Sequence, residues 1–541
     1  MFNLFKSKLK LSLFSLLFIF SLGMFSFPQN AQESNSSNIL TIGIDGNIYS
    51  LDPIGSTVFT SNTEQIRSLM FNSLVKRNER LEVVGELAKE IKILDNGRTI
   101  EFVLHENIKF HNGYILTSAD VKYTLDALFE SNSAKASAFY EISKGQKKPY
   151  IIGIETTNSQ TIRLKLAKPS FKNQILSNLI SVSIIPEKSK IGTEEAGINP
   201  PLGTGAYKFV KFDTRQSIIE LTANFDYWQG IPAIPKVYIK AIPDIKTLFA
   251  ELKAQTIDLA QITKSLSPDE ISIIAKDPNL KIEQFEGTNI QYLGFNVQAK
   301  PLDNVKIRQA IAYAVDREKI IQELLSGNAK PAHSILPENS WAYAAGTKYY
   351  FDPIKARKLL SEANLKDKDN DGLLDIKPII FKISAGDNLN INIAKAIQED
   401  LRQVGLPVTV EILEFQTLLL QLQKGQYQMT MARWVGGNQD PLFLYDLFVS
   451  TEIPTETRFT RNRSRYSNKK IDDLLTQALN EANNDKAKNL FIKTQEVISE
   501  DVPLLPLWYP SLLILANEKV IGIKANDGTD LSFVKDIFKV Q

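Results

Sequence analysis

Residues 87–128 constrain the fold more strongly than any other stretch of this 541-residue chain. Asn96-Gly97 predicts a tight hairpin turn, because both residue types tolerate positive φ. The next segment has the β-branched and aromatic residues of a half-buried strand at Thr99, Ile100, Phe102 and Leu104. Thr117 then occupies an N-cap position with Asp120 three residues later, and apolar residues follow at helical spacing. The stretch therefore predicts strand, turn, strand, loop and helix.

The same stretch resembles the signature of family 5 extracellular solute-binding proteins, the peptide and nickel receptors of ABC importers. The matching positions are Leu87-Ala88, Asn96-Gly97, Phe102, Leu104, Phe110-His111, Gly113, Thr117 and Asp120-Val121. Two positions depart from the pattern, since Ile91 stands where tryptophan is usual and His105 where arginine is usual. Further blocks resemble the family in its own order, at residues 200–209, 224–230, 292–296, 351–363, 433–441 and 465–475.

The resemblance implies an α/β, two-lobed periplasmic-binding-protein fold with an extra subdomain in the first lobe (cluster C type). The length agrees, because a single hydrophobic core stops growing well below 541 residues. We expect a signal peptide at residues 1–31, then lobe 1 at 38–290 with a subdomain at about 58–185. Lobe 2 would occupy 291–513, and 514–541 would return to lobe 1. The expected crossings between lobes are 288–296 and 508–516.

The N-terminus has the pattern of an export signal. Lys6, Lys8 and Lys10 precede an apolar run at residues 11–27, which Pro28 ends. We expect cleavage after residue 31, with an uncleaved membrane anchor as the alternative. The chain contains no cysteine, and therefore neither a thiol for a lipid anchor nor a disulfide. A receptor without a lipid anchor is retained only by a second membrane, which favours the periplasm.

Charge and motif content exclude several functions. The 63 basic and 61 acidic residues give a near-neutral balance, which argues against a nucleic-acid partner. A phosphate-binding G-x-x-x-x-G-K-[ST] loop is absent from the sequence, so any ATPase would be a separate protein. His105-Glu106 begins like H-E-x-x-H, but Lys109 occupies the position of the second histidine. With three histidines and no G-x-S-x-G motif, the sequence does not indicate an enzyme.

The loop at residues 434–441 is the strongest candidate for ligand binding. In the peptide receptors of the family, a W-x-G-D-x-x-D-P-like loop uses its first aspartate to bind the peptide α-amino group. Gly437 occupies that position here. Asp440 is the remaining carboxylate that could meet an ammonium, or it caps a helix beginning at Pro441. Trp434 either forms an aromatic wall of the site or packs into the core.

Six further residues are candidates through the resemblance: Gly436, Asn438, Thr60, Arg463, Tyr292 and Asn296. The first two belong to the same loop, and Thr60 resembles a ligand-facing threonine of dipeptide receptors. Arg463 belongs to a cationic loop whose arginines either pair with a ligand carboxylate or stay solvated. Tyr292 and Asn296 lie near the expected crossing, where hinge hydrogen bonds and ligand contacts would both suit them.

Residues 367–375 resemble the first nine positions of an EF-hand calcium loop, with Asp367, Asp369, Asp371, Gly372 and Asp375. The twelfth position is Pro378, so the bidentate glutamate of such loops is absent. We therefore predict an Asp/Gly-rich turn without a metal, and keep calcium as the alternative.

Taken with the resemblance, these observations predict a receptor that captures di- or oligopeptides between two lobes and closes by a hinge motion. It would act as a monomer without a cofactor and deliver its solute to an ABC permease in the inner membrane. A receptor for a nickel chelate, an opine or a sugar is the alternative within the class. A chemosensory protein that presents its ligand to a membrane receptor is the alternative from another class.

Overall fold

The structure is a computed structural model, and it describes residues 39–56, 60–131, 133–143, 146–187, 201–263, 266–481, 483–525 and 530–540. The predicted signal peptide at 1–31 lies outside these residues. In the part of the chain that is described, no helix combines the length and the apolar character that a membrane span requires.

The strands of the described residues are, in chain order, β1 (Ile39–Ile44), β2 (Val75–Arg77), β3 (Val83–Gly85), β4 (Ala88–Leu94), β5 (Thr99–Leu104), β6 (Tyr140–Ser143), β7 (Gln146–Pro149), β8 (Ile151–Asn158), β9 (Thr161–Leu166), β10 (Tyr207–Asp213), β11 (Ile218–Ala223), β12 (Lys236–Ala241), β13 (Leu259–Ile262), β14 (Leu280–Phe285), β15 (Ile290–Phe295), β16 (Ala329–Pro331), β17 (Ile379–Ser384), β18 (Val408–Leu413), β19 (Met429–Trp434), β20 (Leu504–Pro510), β21 (Leu512–Asn517), β22 (Val520–Ile521) and β23 (Phe538–Lys539).

The α-helices are α1 (Ser61–Met70), α2 (Ser118–Glu130), α3 (Lys172–Leu179), α4 (Ile245–Lys253), α5 (Pro268–Ala275), α6 (Val305–Ala314), α7 (Arg317–Leu324), α8 (Pro353–Glu362), α9 (Asn388–Gln403), α10 (Phe415–Lys424), α11 (Phe443–Phe448), α12 (Lys469–Asn480) and α13 (Asn484–Asp501). Many of these helices have a residue with a short polar side chain at the N-cap position. Asp352, for example, accepts a hydrogen bond from Lys355 N at 2.9 Å, and Pro353 follows it at the first helical position.

Two large sheets define the two lobes of an α/β fold. The lobe 1 sheet has the strand order β10-β11-β12-β1-β13-β21-β14, with β1 parallel to both of its neighbours. The lobe 2 sheet has the order β16-β20-β15-β19-β17-β18, with β17 parallel to β18 and β19. Each sheet thus combines parallel and antiparallel strands, and the chain passes from one sheet to the other after β14 and again after β20.

A smaller antiparallel sheet, β4-β5-β9-β8, belongs to lobe 1. Its β4–β5 hairpin is the predicted one, with Asn96 at φ 52° and Gly97 at φ 89° in the turn. The predicted cap of α2 is also confirmed, because the Asp120 carboxylate accepts hydrogen bonds from Thr117 N at 2.8 Å and Thr117 Oγ1 at 3.0 Å. Local sequence signals were therefore sufficient to predict the β4–β5 hairpin and the start of α2.

The hydrophobic cores of the two lobes are separate. Phe102 of the small sheet and Leu40 of the large sheet share one buried cluster in lobe 1. In lobe 2, alternate residues of β15 enter different clusters: Leu293 enters one, and Ile290 and Tyr292 enter the other. Because successive strand residues point to opposite faces, the lobe 2 sheet is covered on both sides.

The chain passes between the sheets at two adjacent places. Residues 286–289 connect β14 to β15, and Ser511 alone connects β20 to β21. Gln284 Nε2 donates a hydrogen bond to Ser511 Oγ at 2.9 Å across the two connections. The backbones also pack closely, since a Cβ on Gly287 would lie 1.7 Å from the carbonyl oxygen of Pro510.

The lobes also meet away from these connections. Asn339 Nδ2 of lobe 2 donates to the Glu79 carbonyl of lobe 1 at 3.0 Å, and Trp341 N donates to the Arg80 carbonyl at 3.0 Å. Residues 169–171 of lobe 1 contact α12 of lobe 2. The lobes therefore touch at two further places, the turn at Glu79 and Arg80 and the segment 169–171.

Candidate functional site

An aromatic group stands where the chain enters lobe 2. Trp434 ends β19 and pairs with Ile290, the first residue after the 286–289 connection. Its ring is stacked on Tyr292 with centroids 6.2 Å apart and planes at 4°, and Phe443 meets it edge-on at 5.1 Å. We call Tyr292, Trp434 and Phe443 the aromatic wall.

A cation lies against the aromatic wall. The guanidinium carbon of Arg463 is 5.4 Å from the centroid of the Trp434 ring, within cation–π range. Three residues predicted from the sequence, Tyr292, Trp434 and Arg463, are thus brought together. Burial raises the pKa of Tyr292 to about 12, and the positive charge of Arg463 opposes this rise.

Arg463 differs from Arg458 and Arg461 in its ionic contacts. Arg458 pairs with Glu452 at 2.5 Å, and Arg461 pairs with Asp446. Within the described residues, Arg463 has no such pair within 4.0 Å, and its buried Nε has no hydrogen-bond partner. Its charge is therefore available to the aromatic wall and to a solute.

The loop after Trp434 is attached to the connection between the lobes. Gly436 N donates to Asn289 Oδ1 at 3.1 Å. Asn438 is fully buried, and its Nδ2 donates to the carbonyl oxygens of Thr288 at 2.6 Å and Ile335 at 3.0 Å. Gln439 Nε2 donates to Thr288 Oγ1 at 2.8 Å. Asn438 therefore positions the loop, while the backbone of Gly436 stays near the connection.

Asp440 closes the turn that leads into α11. Its Oδ1 accepts a hydrogen bond from Leu442 N at 2.9 Å, and its carbonyl accepts one from Phe443 N at 3.0 Å. The prediction of a helix beginning at Pro441 is wrong, since α11 begins at Phe443. The reason is that Leu444 N bonds the Pro441 carbonyl at 3.1 Å, an i to i+3 contact that makes Pro441 part of a turn.

Two other predicted residues already have hydrogen bonds within their own lobes. Asn296 is buried, and its Nδ2 donates to the carbonyl oxygens of Gly425 and Tyr427, both at 3.0 Å. Thr60 is the N-cap of α1, where its Oγ1 accepts from Thr63 N at 3.2 Å. The structure does not bring these two residues into the group around Trp434.

The sequence reasoning missed a second cation, Arg433. It precedes Trp434 in β19 and therefore points to the opposite face of the sheet. Burial lowers the pKa of Arg433, and the charges of Asp387 and Asp45 oppose this effect. Asp387 belongs to lobe 2 at the start of α9, whereas Asp45 follows β1 in lobe 1. The only sequence signal was the position of Arg433 inside the family-like block at 433–441.

A cavity of about 290 Å³ adjoins the connections between the lobes. Both lobes contribute to its lining, through Gln284, Glu286, Thr288, Lys330, Glu338 and Ser511. Lys330 pairs with Glu338 at 2.5 Å and with Glu286 at 3.5 Å. Any rotation of one lobe against the other would change the shape of this cavity.

The comparison with protein families decides the class of this molecule. The model described as bacterial extracellular solute-binding proteins, family 5 Middle, matches residues 82–455, which is more than half of the chain. The chain belongs to the family 5 bacterial extracellular solute-binding proteins. Its relatives are binding proteins for solutes, and the two-lobed fold is the fold of the solved family members.

The relatives of this family 5 protein bind different solutes. Oligopeptide-binding protein AppA of Bacillus subtilis is 27% identical over 527 residues, covering 94% of this chain and 92% of AppA. Heme-binding protein A of Haemophilus influenzae is 27% identical over 476 residues, covering 84% and 83%. In both comparisons the similarity extends over most of each chain.

The solved structures similar to this chain also differ in their ligands. AppA from Bacillus subtilis in complex with a nonapeptide matches with a TM-score of 0.67 and 26% identity, covering 93% of this chain and 99% of that one. NikZ from Campylobacter jejuni in complex with Ni(L-His) matches with a TM-score of 0.71 and 25% identity, covering 93% and 100%.

For a family 5 protein, the surroundings of Gly437 are informative. A Cβ at this position would lie 3.1 Å from the ring of Phe443, and the glycine itself is exposed. The Phe443 ring thus fills the space beside the position where the family resemblance places a ligand-binding aspartate. A larger residue at 437 would require the ring to shift.

The histidines of this family 5 protein lie outside the group around Trp434. His105 packs on Trp228 with ring centroids 5.2 Å apart, and His333 packs on Tyr350 at 5.4 Å. His111 Nε2 lies 3.1 Å from the Gly205 carbonyl oxygen, and burial lowers its pKa to about 4. Each histidine therefore contacts a different part of the fold.

The predicted Asp/Gly-rich turn brings three carboxylates together. Oxygens of Asp367, Asp369 and Asp371 lie within 4.8 Å of one another, the only such group of potential metal ligands found among the described residues. The loop uses these oxygens itself, since Asp367 Oδ2 accepts from Gly372 N at 3.0 Å and Asp371 Oδ1 from Leu373 N at 2.8 Å. These bonds favour the turn interpretation.

Proposed function

We propose that this protein is the receptor of an ABC importer that captures peptides between its lobes and delivers them to a membrane permease. The observation that carries the proposal is the relation to AppA, which extends over 94% of this chain and whose solved structure contains a nonapeptide. Peptide binding suits a surface that offers the aromatic wall, the charge of Arg463 and exposed glycine backbone, because aromatic rings and backbone groups can contact peptides of many sequences.

In this proposal, the lobes close on the peptide by rotating about residues 286–289 and Ser511. A solute shifts such an equilibrium only by binding the closed form more tightly than the open form. Contacts from both lobes supply that difference. An extended peptide would hydrogen-bond to backbone groups in a strand-like manner, which gives affinity with broad side-chain tolerance.

The proposed ligand-binding residues divide into two groups. Trp434, Tyr292 and Arg463 form the surface on which the solute rests, and the backbone of Gly436 and Gly437 leaves room for its chain. Asn438 and Asn296 hold segments of lobe 2 that bear this surface, and Thr60 caps α1 in lobe 1. Asp440 shapes the loop through Oδ1, and its other carboxylate oxygen is the candidate partner of a ligand ammonium.

A thermal-shift screen with di- to pentapeptides tests the peptide assignment. Bound solute stabilises a protein by about 2.7 kcal/mol at a concentration one hundred times Kd, so a specific peptide raises Tm measurably. Free amino acids of the same composition serve as the control. Because relatives bind haem and a nickel–histidine complex, both compounds belong in the screen. Stabilisation by one of them and by no peptide would overturn the assignment.

We further propose export by the 1–31 leader, its removal, and action as a periplasmic monomer with a separate permease and ATPase. Cells that lack the protein would then fail to take up a radiolabelled peptide that it binds in vitro. Normal uptake combined with lost chemotaxis toward that peptide would instead favour the sensory alternative. Mass spectrometry of the protein purified from its own periplasm identifies both the mature N-terminus and any solute that copurifies.

A further inference from the structure

The part of lobe 1 that carries the small sheet touches lobe 2 twice, at places separate from the two connections. Its first contact is the turn between β2 and β3. Asn339 Nδ2 of lobe 2 donates a hydrogen bond to the Glu79 carbonyl at 3.0 Å. Trp341 N donates one to the Arg80 carbonyl at the same distance. Protein groups on both sides satisfy each other, so this contact needs no solute.

Each side of the first contact is held within its own lobe. The Asn78 side chain fixes the turn, because its Oδ1 accepts hydrogen bonds from Arg80 N at 3.0 Å and from Glu82 N at 2.9 Å. In lobe 2, the ring of Trp341 meets the buried ring of Phe491 edge-on, with centroids 5.8 Å apart. Two surfaces that are already ordered lose little conformational entropy when they meet.

The second contact follows β9. Residues 169–171 touch α12 of lobe 2, and the ring of Phe171 packs against Tyr150 of its own lobe with centroids 4.3 Å apart. The next residue, Lys172, is buried. Burial lowers the pKa of its ammonium, and the negative charge of Glu481, which follows α12, opposes this effect. A positive charge of lobe 1 thus lies near a negative charge of lobe 2.

The two contacts belong to one packed unit. Arg77 Nη2 at the end of β2 donates to Ser177 Oγ of α3 at 2.9 Å, and α3 is the helix that follows residues 169–171. Pro169 packs against the β4–β5 turn, where a Cβ on Gly97 would lie 3.2 Å from its Cβ. A swing of lobe 2 away from lobe 1 would therefore break both contacts together.

We propose that this unit is a clasp, whose contacts at residues 79–80 and 169–172 hold the lobes closed without a solute and thereby set the affinity for every solute that the cleft accepts. The inference rests on the proposed closure of the lobes, and it adds protein contacts that favour the closed form by themselves. The apparent Kd is the intrinsic Kd divided by the fraction of protein in the binding-competent form. A weaker clasp lowers the closed fraction and raises the apparent Kd.

Small-angle X-ray scattering of solute-free protein tests the clasp without a ligand, and native mass spectrometry checks that no solute is bound. The variant N339A/E481K removes the hydrogen bond to the Glu79 carbonyl and places a positive charge near Lys172. We expect its radius of gyration to exceed that of the wild type, because a larger fraction of the molecules is open. An equal radius for the two proteins would overturn the proposal.

Two control variants make similar changes inside lobe 2. Q309A removes a side-chain amide that donates to the Glu500 carbonyl at 2.9 Å, and E496K reverses an exposed charge on α13. Both should keep the wild-type radius, and a change as large as that of the clasp variant would overturn the proposal. Circular dichroism separates opening from unfolding, since an open protein keeps its helix content. N339A and E481K singly should each show part of the increase if the double variant does not fold.

Calorimetry with a randomised tetrapeptide library tests the link to affinity. We expect N339A/E481K to bind the library about three- to tenfold more weakly than the wild type, and Q309A and E496K to bind it equally well. Unchanged affinity of the clasp variant would overturn this link. Failure of the library to bind the wild type would overturn the peptide function instead, and the scattering comparison would still decide whether the clasp exists.

Discussion

Trp434 links the proposed binding surface to the core of lobe 2, since its ring is stacked on Tyr292 and meets Phe443 edge-on. We expect W434A to lower the free energy of unfolding by about 1–3 kcal/mol, because aromatic pairs and their burial are both lost. Peptide affinity should fall at least tenfold. W434F, which keeps an aromatic ring, should lose less of both. Urea denaturation and calorimetry measure the two effects, and unchanged affinity in W434A would remove Trp434 from the site.

Asp440 offers a test that separates turn formation from binding. D440A removes the hydrogen bond to Leu442 N and should lower the free energy of unfolding by about 1 kcal/mol. D440N keeps an acceptor at this place and should lie within about 0.5 kcal/mol of wild type. If the carboxylate meets a ligand ammonium, D440N should nevertheless bind peptides more weakly. Equal affinity of D440N and wild type would limit Asp440 to its structural role.

His111 makes the stability of lobe 1 depend on pH. Burial lowers its pKa from 6.5 to about 4, so the unfolded chain binds a proton at higher pH than the folded chain does. Its contribution is therefore present above pH 6.5 and is lost as the pH falls toward 4, by about 2–3 kcal/mol. Urea denaturation of wild type and H111Q at pH 7.5 and 4.5 measures this loss as the difference between the two proteins.

The comparison with H111Q is needed because other groups titrate in the opposite sense. Burial raises the pKa of Glu86 to about 7 and that of Asp400 to about 6, so these carboxyls favour the folded state at low pH. Their effects are present in both proteins and cancel in the difference. A difference between wild type and H111Q that stays constant with pH would contradict the prediction.

At the level of structural elements, the connections between lobes have little spare room. A Cβ on Gly287 would lie 1.7 Å from the Pro510 carbonyl oxygen, so G287A must push the two connections apart. We expect it to lower the free energy of unfolding by about 2–3 kcal/mol. G153A is the matched control in β8, because its Cβ would meet only the Lys165 side chain at 3.5 Å. Equal effects of the two substitutions would mean that the connections are loosely packed.

The elements themselves differ in how far their sequence could predict them. The β4–β5 hairpin and the cap of α2 depend on residues within a few positions of each other, and both were predicted. The start of α11 was misplaced because Pro441 suits a turn as well as a helical first turn. The i to i+3 hydrogen bonds that follow Asp440 make Pro441 part of a turn and not of the helix.

The candidate site was predicted only in part. Trp434 and Tyr292 stood out because family-like motifs contain them. The electrostatic surroundings of Arg433 depend on Asp45, which lies near the other end of the chain, and on the burial that folding creates. The cavity beside the connections likewise combines Gln284, Lys330 and Ser511. Contacts between residues so far apart in the sequence leave no local pattern from which to predict them.

For the whole molecule, closure can be followed directly because the chain contains no cysteine. Cysteines introduced at the exposed positions Lys148 of lobe 1 and Lys470 of lobe 2 would carry a pair of fluorescent dyes. We expect energy transfer between the two dyes to rise when a peptide that the protein binds is added, because the ligand stabilises the closed form. A pair at Lys395 and Lys470, both in lobe 2, should report no change. A constant signal from the first pair would contradict hinge closure.

In the proposed closure of the lobes on a solute, the two short connections have a consequence for the order of events. Side-by-side tethers allow the lobes to swing about one axis and prevent them from sliding apart. Atoms beside the tethers move through small arcs, while those at the far rim travel the longest distance. A long guest molecule can therefore be gripped at its tether-proximal end while the remainder is still in solvent, so that enclosure proceeds along its length.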